Sequence, residues 1–270
     1  MNGIGNLLWL LVALPVLGGL TALLLPSTKA VLRLVSFGAP LISALSLGTA
    51  FSVFNRSPES FSSGEWLMLD ALSALHLLVL HIVFSLASVY SGVYFRHEPE
   101  GQELTLQLAR RFGSLWFVTM AAMSLVLLSN NLGIMWVGVE TTTLVTAFLI
   151  CLHTTAVSLE ATWKYLVVCS VGVAFAFMGI LLIGAAVTVP GEVGAHILQW
   201  SNVVAAAPGI DPKLAKLAFV FLLVGYGTKV GLAPLHSWLP DAHSQAPAPV
   251  SALFSGFLLN MALYCIMRYI

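Results

Sequence analysis

The chain is 270 residues long, 59% hydrophobic and only 8% charged, with 11 basic side chains against 11 acidic ones and a formal net charge of zero. A soluble domain carries about 25% charged residues, so this composition, with a mean hydropathy of +0.97, leaves little room for a water-soluble globule. The lack of a basic excess argues against a nucleic-acid partner.

Apolar runs of roughly 20 residues, enough to cross about 30 Å of hydrocarbon, occupy positions 3–25, 31–54, 70–95, 111–129, 131–151, 163–189, 214–235 and 249–270. The expected fold is therefore all-α: a polytopic membrane bundle of about eight spanning helices, the seventh of them broken. No basic residue precedes Lys29, so the first run reads as a retained helix and not as a secretory leader. Lys29, Arg33, Arg96, Arg110, Arg111 and Lys164 fall on one side of this topology, and Arg56, Lys213 and Lys216 on the other. The positive excess marks the cytoplasmic face. That predicts a multi-pass protein of the cell inner (plasma) membrane with its N-terminus outside the cytoplasm. Trp66, Trp163 and Trp200 stand near segment ends, where amphipathic rings favour the interface.

The connections at 55–69 and 190–213 read as turns and short surface pieces. In the third run, His76 and His81 lie about 140° apart around a helix and cannot share a face; each reads as a hydrogen-bonded histidine facing the bundle. The stretch 96–110, with Glu98, Glu100, Glu103, Arg110 and Arg111, reads as a short surface helix, either a solvated face or a subunit contact.

Ionisable residues inside the runs are the functional candidates, because a charge at mid-helix costs roughly 2.5–3.5 kcal/mol on insertion scales. Glu140, in Met135-Trp-Val-Gly-Val-Glu140-Thr-Thr-Thr-Leu144, has about 13 Å of helix before it at 1.5 Å per residue. Its carboxyl is either a proton carrier or a structural group held by Thr141–Thr143. Glu160 and Lys164 have the i, i+4 spacing of a helix pair. Lys164 either snorkels to the interface or reaches toward Glu140 and tunes its charge.

The seventh run contains Gly225-Tyr-Gly-Thr-Lys229-Val-Gly231-Leu-Ala-Pro234-Leu-His236-Ser-Trp-Leu-Pro240-Asp241-Ala-His243. Gly231 and Pro234 predict a break just after Lys229, and non-helical backbone at membrane depth persists only where protein or water satisfies it. An unpaired buried ammonium is costly, so Glu140 is the expected partner of Lys229 in a buried ion pair. That pair is either switchable, releasing the lysine's proton when the carboxylate moves away, or static. His236 is a candidate relay member, with Asp241 and His243 as candidate relay or structural residues. Cys151, Cys169 and Cys265 are isolated and lack metal-site spacing, and the glycine pattern at Gly225, Gly227 and Gly231 fits no nucleotide fingerprint. No metal, flavin, haem or other cofactor is expected.

The runs Ser129–Leu144, Ser158–Tyr165 and Gly227–Leu253 resemble the antiporter-like, proton-translocating subunits shared by respiratory complex I, Mrp-type cation/proton antiporters and membrane-bound hydrogenases, closest to component F of the hydrogenase-4 type. The last motif is long and specific; residues 1–110 resemble the family mainly in hydropathy. The resemblance implies proton transport through a membrane glutamate (Glu140) and a lysine on a broken helix (Lys229), tuned by a basic residue (Lys164). It also implies other membrane subunits and a cytoplasmic redox module, hydrogenase-like or complex I-like, as partners, with protons, or sodium, as cargo. Family members have about fourteen helices in two inverted five-helix repeats. This chain therefore reads as a three-helix segment, 1–110, followed by the first repeat, 111–270, of a longer protein. Asn260 stands where many relatives carry a lysine or histidine, so the onward proton path would pass elsewhere. The remaining alternatives are a Mrp-type antiporter subunit, an inorganic-carbon uptake subunit and a structural membrane anchor.

Overall fold

The computed structural model describes residues 2–55, 61–63, 65–97, 104–187 and 197–270. The chain runs through α1 (Asn2–Leu24), α2 (Thr28–Arg33), a π-helical turn (Leu34–Gly38), α3 (Ala39–Asn55), β1 (Phe61–Ser63), β2 (Leu67–Leu69), α4 (Ala71–Tyr94) and α5 (Leu106–Leu128). It continues with α6 (Leu132–Ile150), α7 (Ala156–Ala186), α8 (Trp200–Ala206), α9 (Pro212–Val230), α10 (Leu239–Gln245), α11 (Ala248–Leu253), a second π-helical turn (Phe254–Leu258) and α12 (Leu259–Met267). The architecture is all-α, as the composition predicts, apart from the antiparallel β1–β2 ribbon in the 55–69 connection. That ribbon and α8 give the two long connections more order than turn residues alone suggest. Asn130 helps to hold both, donating from its side chain to the Glu65 carbonyl and to Ser201 Oγ.

Among the described residues, seven helices are long and apolar enough to span a membrane: Asn6–Leu24, Thr28–Phe54, Ala71–Tyr94, Leu106–Leu128, Leu132–Ile150, Ala156–Ala186 and Ala248–Met267. The expected seventh span, α9, falls outside this set because Lys213, Lys216 and Lys229 crowd its 19 residues. Glu98, Glu100 and Glu103, placed by sequence on a surface helix, lie outside the described residues, while Arg110 and Arg111 belong to α5.

Helix starts follow side-chain capping, which satisfies orphan N–H groups. Asp70 and Ser73 form a capping box on α4, Thr155 and Ser158 another on α7, and Asn131 Oδ1 accepts from two N–H groups of α6. Caps that need no water suit helix ends at a membrane boundary. The buried core is contiguous from α1 to α12, with the rings of Trp116, Phe112 and Phe84 packed at tilted angles between α4 and α5. His81 is fully buried and bridges Ser43 on α3 and Ser124 on α5, while His76 Nδ1 bonds the Leu72 carbonyl.

Small residues bring α7 and α9 together, as in tight membrane helix pairs. A Cβ on Gly225 would fall 2.3 Å from the Ala176 amide nitrogen, and one on Gly179 would fall 2.9 Å from the Ala218 carbonyl oxygen. This close approach brings the end of α9 against the face of α7 that carries Tyr165.

Where α4 begins and α12 ends, Arg268 forms a two-pronged ion pair with Asp70, at 2.6 and 2.8 Å. Its Nε donates to Tyr264 Oη, which in turn donates to the Leu127 carbonyl, and its guanidinium stacks 4.6 Å from the Trp200 ring.

Candidate functional site

Lys229 lies in the last turn of α9 and is fully buried. The helix ends immediately beyond it. Gly231 adopts φ +79°, its N–H bonds the Thr228 carbonyl, and the Leu232 N–H bonds the Gly227 carbonyl. Residues 231–238 form turns, with a cis Ala233–Pro234 peptide, before α10 resumes at Leu239. Trp238 folds back from the turn: its indole N–H donates to the Thr228 carbonyl at 3.0 Å, and it is almost completely buried. A helix end inside a bundle thus gains a side-chain donor for a carbonyl that the terminal turn also uses.

The Lys229 ammonium donates to Tyr165 Oη at 2.6 Å and to Thr143 Oγ1 at 2.8 Å. It sits 4.9 Å from the centre of the Tyr165 ring, but the short contact to the phenol oxygen sets its position. Tyr165 Oη also shares a hydrogen bond of 2.7 Å with Thr146 Oγ1. Thr143 and Thr146 project from α6 and Tyr165 from α7. Two helices therefore supply a ring of neutral hydroxyls to a buried cation carried by a third.

Glu140 stands apart from this ring, and no ion pair joins it to Lys229, contrary to the expected buried pair. Its Oε1 accepts from Ser170 Oγ on α7 at 2.8 Å, and its buried Oε2 has no hydrogen-bond partner. The pairing rule failed because hydroxyl oxygens supply the ammonium's acceptors, an option that charge counting ignores.

Lys164 bonds Glu160 at 2.8 Å and Asp241 at 2.9 Å and is half exposed. It does not reach Glu140. The Glu160 pair follows from i, i+4 spacing; the Asp241 pair needs α10 folded against α7, which the break creates. His236 is exposed in the turn and takes no part in the Lys229 hydroxyl ring. His243 Nδ1 bonds Ser251 Oγ at 2.6 Å. The seven-residue spacing of Lys229, His236 and His243 puts none of them on a common face, because the helix stops between them. Asn260 is exposed, its amide folded back onto the Gly256 carbonyl of its own helix. Sequence reasoning passed over Tyr165, Thr146 and Ser170, and offered Thr143 only as a partner for Glu140, where it accepts from Lys229 instead. Helical phase could have flagged Thr143, three residues after Glu140 and on its side of the helix, but nothing in the sequence singles out Thr146 or distinguishes Tyr165 from a packing aromatic.

The profile of the family described as "NADH:quinone oxidoreductase/Mrp antiporter, TM" matches residues 129–270, the part of the chain that carries this site. A hydrogenase-4 component F homologue from Methylacidiphilum infernorum is 40% identical over 240 residues, covering 88% of this chain and 49% of the relative. The fold is similar to a chain of the Mrp complex from Dietzia sp. (TM-score 0.77, 21% identity, 99% of this chain and 48% of that one). It is also similar to a chain of an archaeal membrane-bound sulfane sulfur reductase (TM-score 0.75, 22% identity, 96% and 52%). The chain thus spans about half the length of the proteins it matches. With the profile covering more than half of its residues, this multi-pass, antiporter-like membrane protein belongs to the NADH:quinone oxidoreductase/Mrp antiporter transmembrane family.

Proposed function

We propose that the chain is a proton-translocating membrane subunit of a redox-driven complex, with Lys229 and Glu140 as separate proton-holding stations. The observation that carries this reading is a fully buried lysine at the broken end of α9, held by neutral hydroxyls and by no carboxylate. A purely structural buried cation is ordinarily paired, because an uncompensated one is strongly destabilising. A lysine that must gain and lose a proton benefits from partners that impose no fixed charge. Glu140 supports the same reading, since one of its carboxyl oxygens is buried without a partner. Lys164 would act at a distance by holding α10 through Asp241, and His236, exposed in the turn, would exchange protons only with groups outside this chain.

The name of the component F homologue favours a hydrogenase-type complex, with other membrane subunits and a cytoplasmic redox module as partners. Such a subunit would lie in the cell inner membrane, with the Lys29, Arg33, Arg110 and Arg111 side facing the cytoplasm. The test uses the full-length protein in its native complex, reconstituted in vesicles. Lys229→Ala and Glu140→Gln are expected to lower redox-driven proton transport at least tenfold while electron transfer and assembly persist, since acid–base groups contribute about 10²–10⁴ in rate. Undiminished transport in both variants, with normal assembly on a native gel, overturns the reading. The family also includes Mrp antiporters; sodium-dependent proton flux in vesicles without an electron donor would transfer the assignment to cation/proton antiport.

A further inference from the structure

Lys229 can serve as a proton station only if its surroundings tolerate both its charged and its neutral form. A buried polar group left without a partner costs about 1–3 kcal/mol, so a site suited to one form alone would trap the lysine in it. Carboxylates only accept hydrogen bonds, whereas a hydroxyl both donates and accepts. The partners here are hydroxyls, and each has a further partner of its own.

The remaining bonds orient them. Thr143 Oγ1 donates to the Val139 carbonyl at 3.2 Å, leaving its lone pairs toward Lys229. Thr146 Oγ1 donates to the Thr142 carbonyl at 2.6 Å. With Thr146 committed in this way, the Tyr165 proton lies on the bond to Thr146, and the Tyr165 oxygen accepts from the ammonium. In the reverse arrangement Thr146 donates to Tyr165, and Tyr165 is free to donate to a neutral amine. Either end of the 2.7 Å Tyr165–Thr146 bond can be the donor. Exchanging the two arrangements only rotates hydroxyls, and no covalent bond is made or broken.

Tyr165 is firmly placed for this. It is fully buried, its ring lies 5.0 Å from Trp238 and 6.2 Å from Phe254, and Trp238 is itself bonded to the Thr228 carbonyl next to Lys229.

We infer that Tyr165 is a positioning residue for Lys229, whose hydroxyl, backed by Thr146, reverses its hydrogen bond as the lysine gains and loses its proton. This rests on the reading of Lys229 as a proton station. It assigns regulation of that station to a residue one helix away that carries no charge at neutral pH.

The experiment measures redox-driven proton transport against pH in vesicles containing the intact complex, for Lys229→Ala, Tyr165→Phe, Thr146→Val and the double variant. Phenylalanine keeps the ring contacts and removes only the hydroxyl. Tyr165→Phe is expected to slow transport about tenfold and to displace the pH profile by about one unit, the size of one hydrogen bond to a charged group. Thr146→Val should displace the profile in the same sense, and the double variant should go no further than Tyr165→Phe alone, because the two hydroxyls act as a unit. A wild-type rate and pH profile in Tyr165→Phe, with Lys229→Ala inactive, overturns the inference and leaves the proposed function standing. Normal transport in Lys229→Ala overturns both. If Tyr165→Phe fails to assemble, Thr146→Val decides: a displaced profile supports the role and an unchanged one overturns it.

Discussion

Gly231 shows how one residue places the site. Its φ of +79° and the paired bonds from the Gly231 and Leu232 N–H groups to Thr228 and Gly227 end α9 one residue beyond Lys229, in the five-to-two and six-to-one pattern that favours glycine. An L side chain in this conformation costs about 1–2 kcal/mol. Gly231→Ala is therefore expected to lower the unfolding temperature of the purified protein by a few degrees, as read by scanning fluorimetry. This break was legible in the sequence, because glycine and proline punctuate an apolar run in few other ways. The partners of Lys229 were not. Tyr165 and Thr143 lie 64 and 86 positions earlier in the chain, and a tyrosine within an apolar helix carries no local mark of having a cation at its hydroxyl. Glu140 was chosen as the partner because only opposite charge can be counted in a sequence.

At the scale of elements, the pairing of α7 with α9 puts Tyr165 beside Lys229, and Gly225 lets the two backbones meet. An added Cβ would lie 2.3 Å from the Ala176 nitrogen and 2.7 Å from its Cα, both main-chain atoms that cannot turn aside. Gly225→Ala is expected to destabilise the protein by about 1–3 kcal/mol, the usual cost of overpacking. Gly48→Ala, in α3 with nothing within 4 Å of the added carbon, is expected to be neutral or slightly stabilising. Equal unfolding temperatures for the two variants would show that the helices separate without cost. Seven spans were readable because length and apolarity suffice for them. The short α10 after the break was not, because it is held by Trp238, Asp241 and Ser251 contacts that no periodicity records.

Across the whole molecule, the Asp70–Arg268 pair joins positions 198 apart and ties the first helices to the last. Burial alone would raise the Asp70 carboxyl's pKa; hydrogen bonds and charge from Arg268, with help from Ser73, hold it below its ordinary value of 3.8. A carboxyl lowered in this way stabilises the fold fully above its unfolded value, and the contribution fades as the pH falls through the lowered native one. Wild-type unfolding temperature should therefore drop on acidification below about pH 4. Asp70→Asn, which strands the nearly buried guanidinium, should cost about 3 kcal/mol at neutral pH and flatten that acid dependence. An unchanged acid slope in the variant would assign the loss to other carboxyls. Neither residue stood out in the sequence, since each sits at the edge of an apolar run where an isolated charge is ordinary. The Trp238 bond to the Thr228 carbonyl has a mechanical consequence at this scale. It braces the corner between α9 and α10, so the interruption works as a strut and not as a joint. A continuous line of contacts thus runs from the surface couple of Lys164 and Asp241 through α10 and the indole to the peptide group next to the enclosed ammonium.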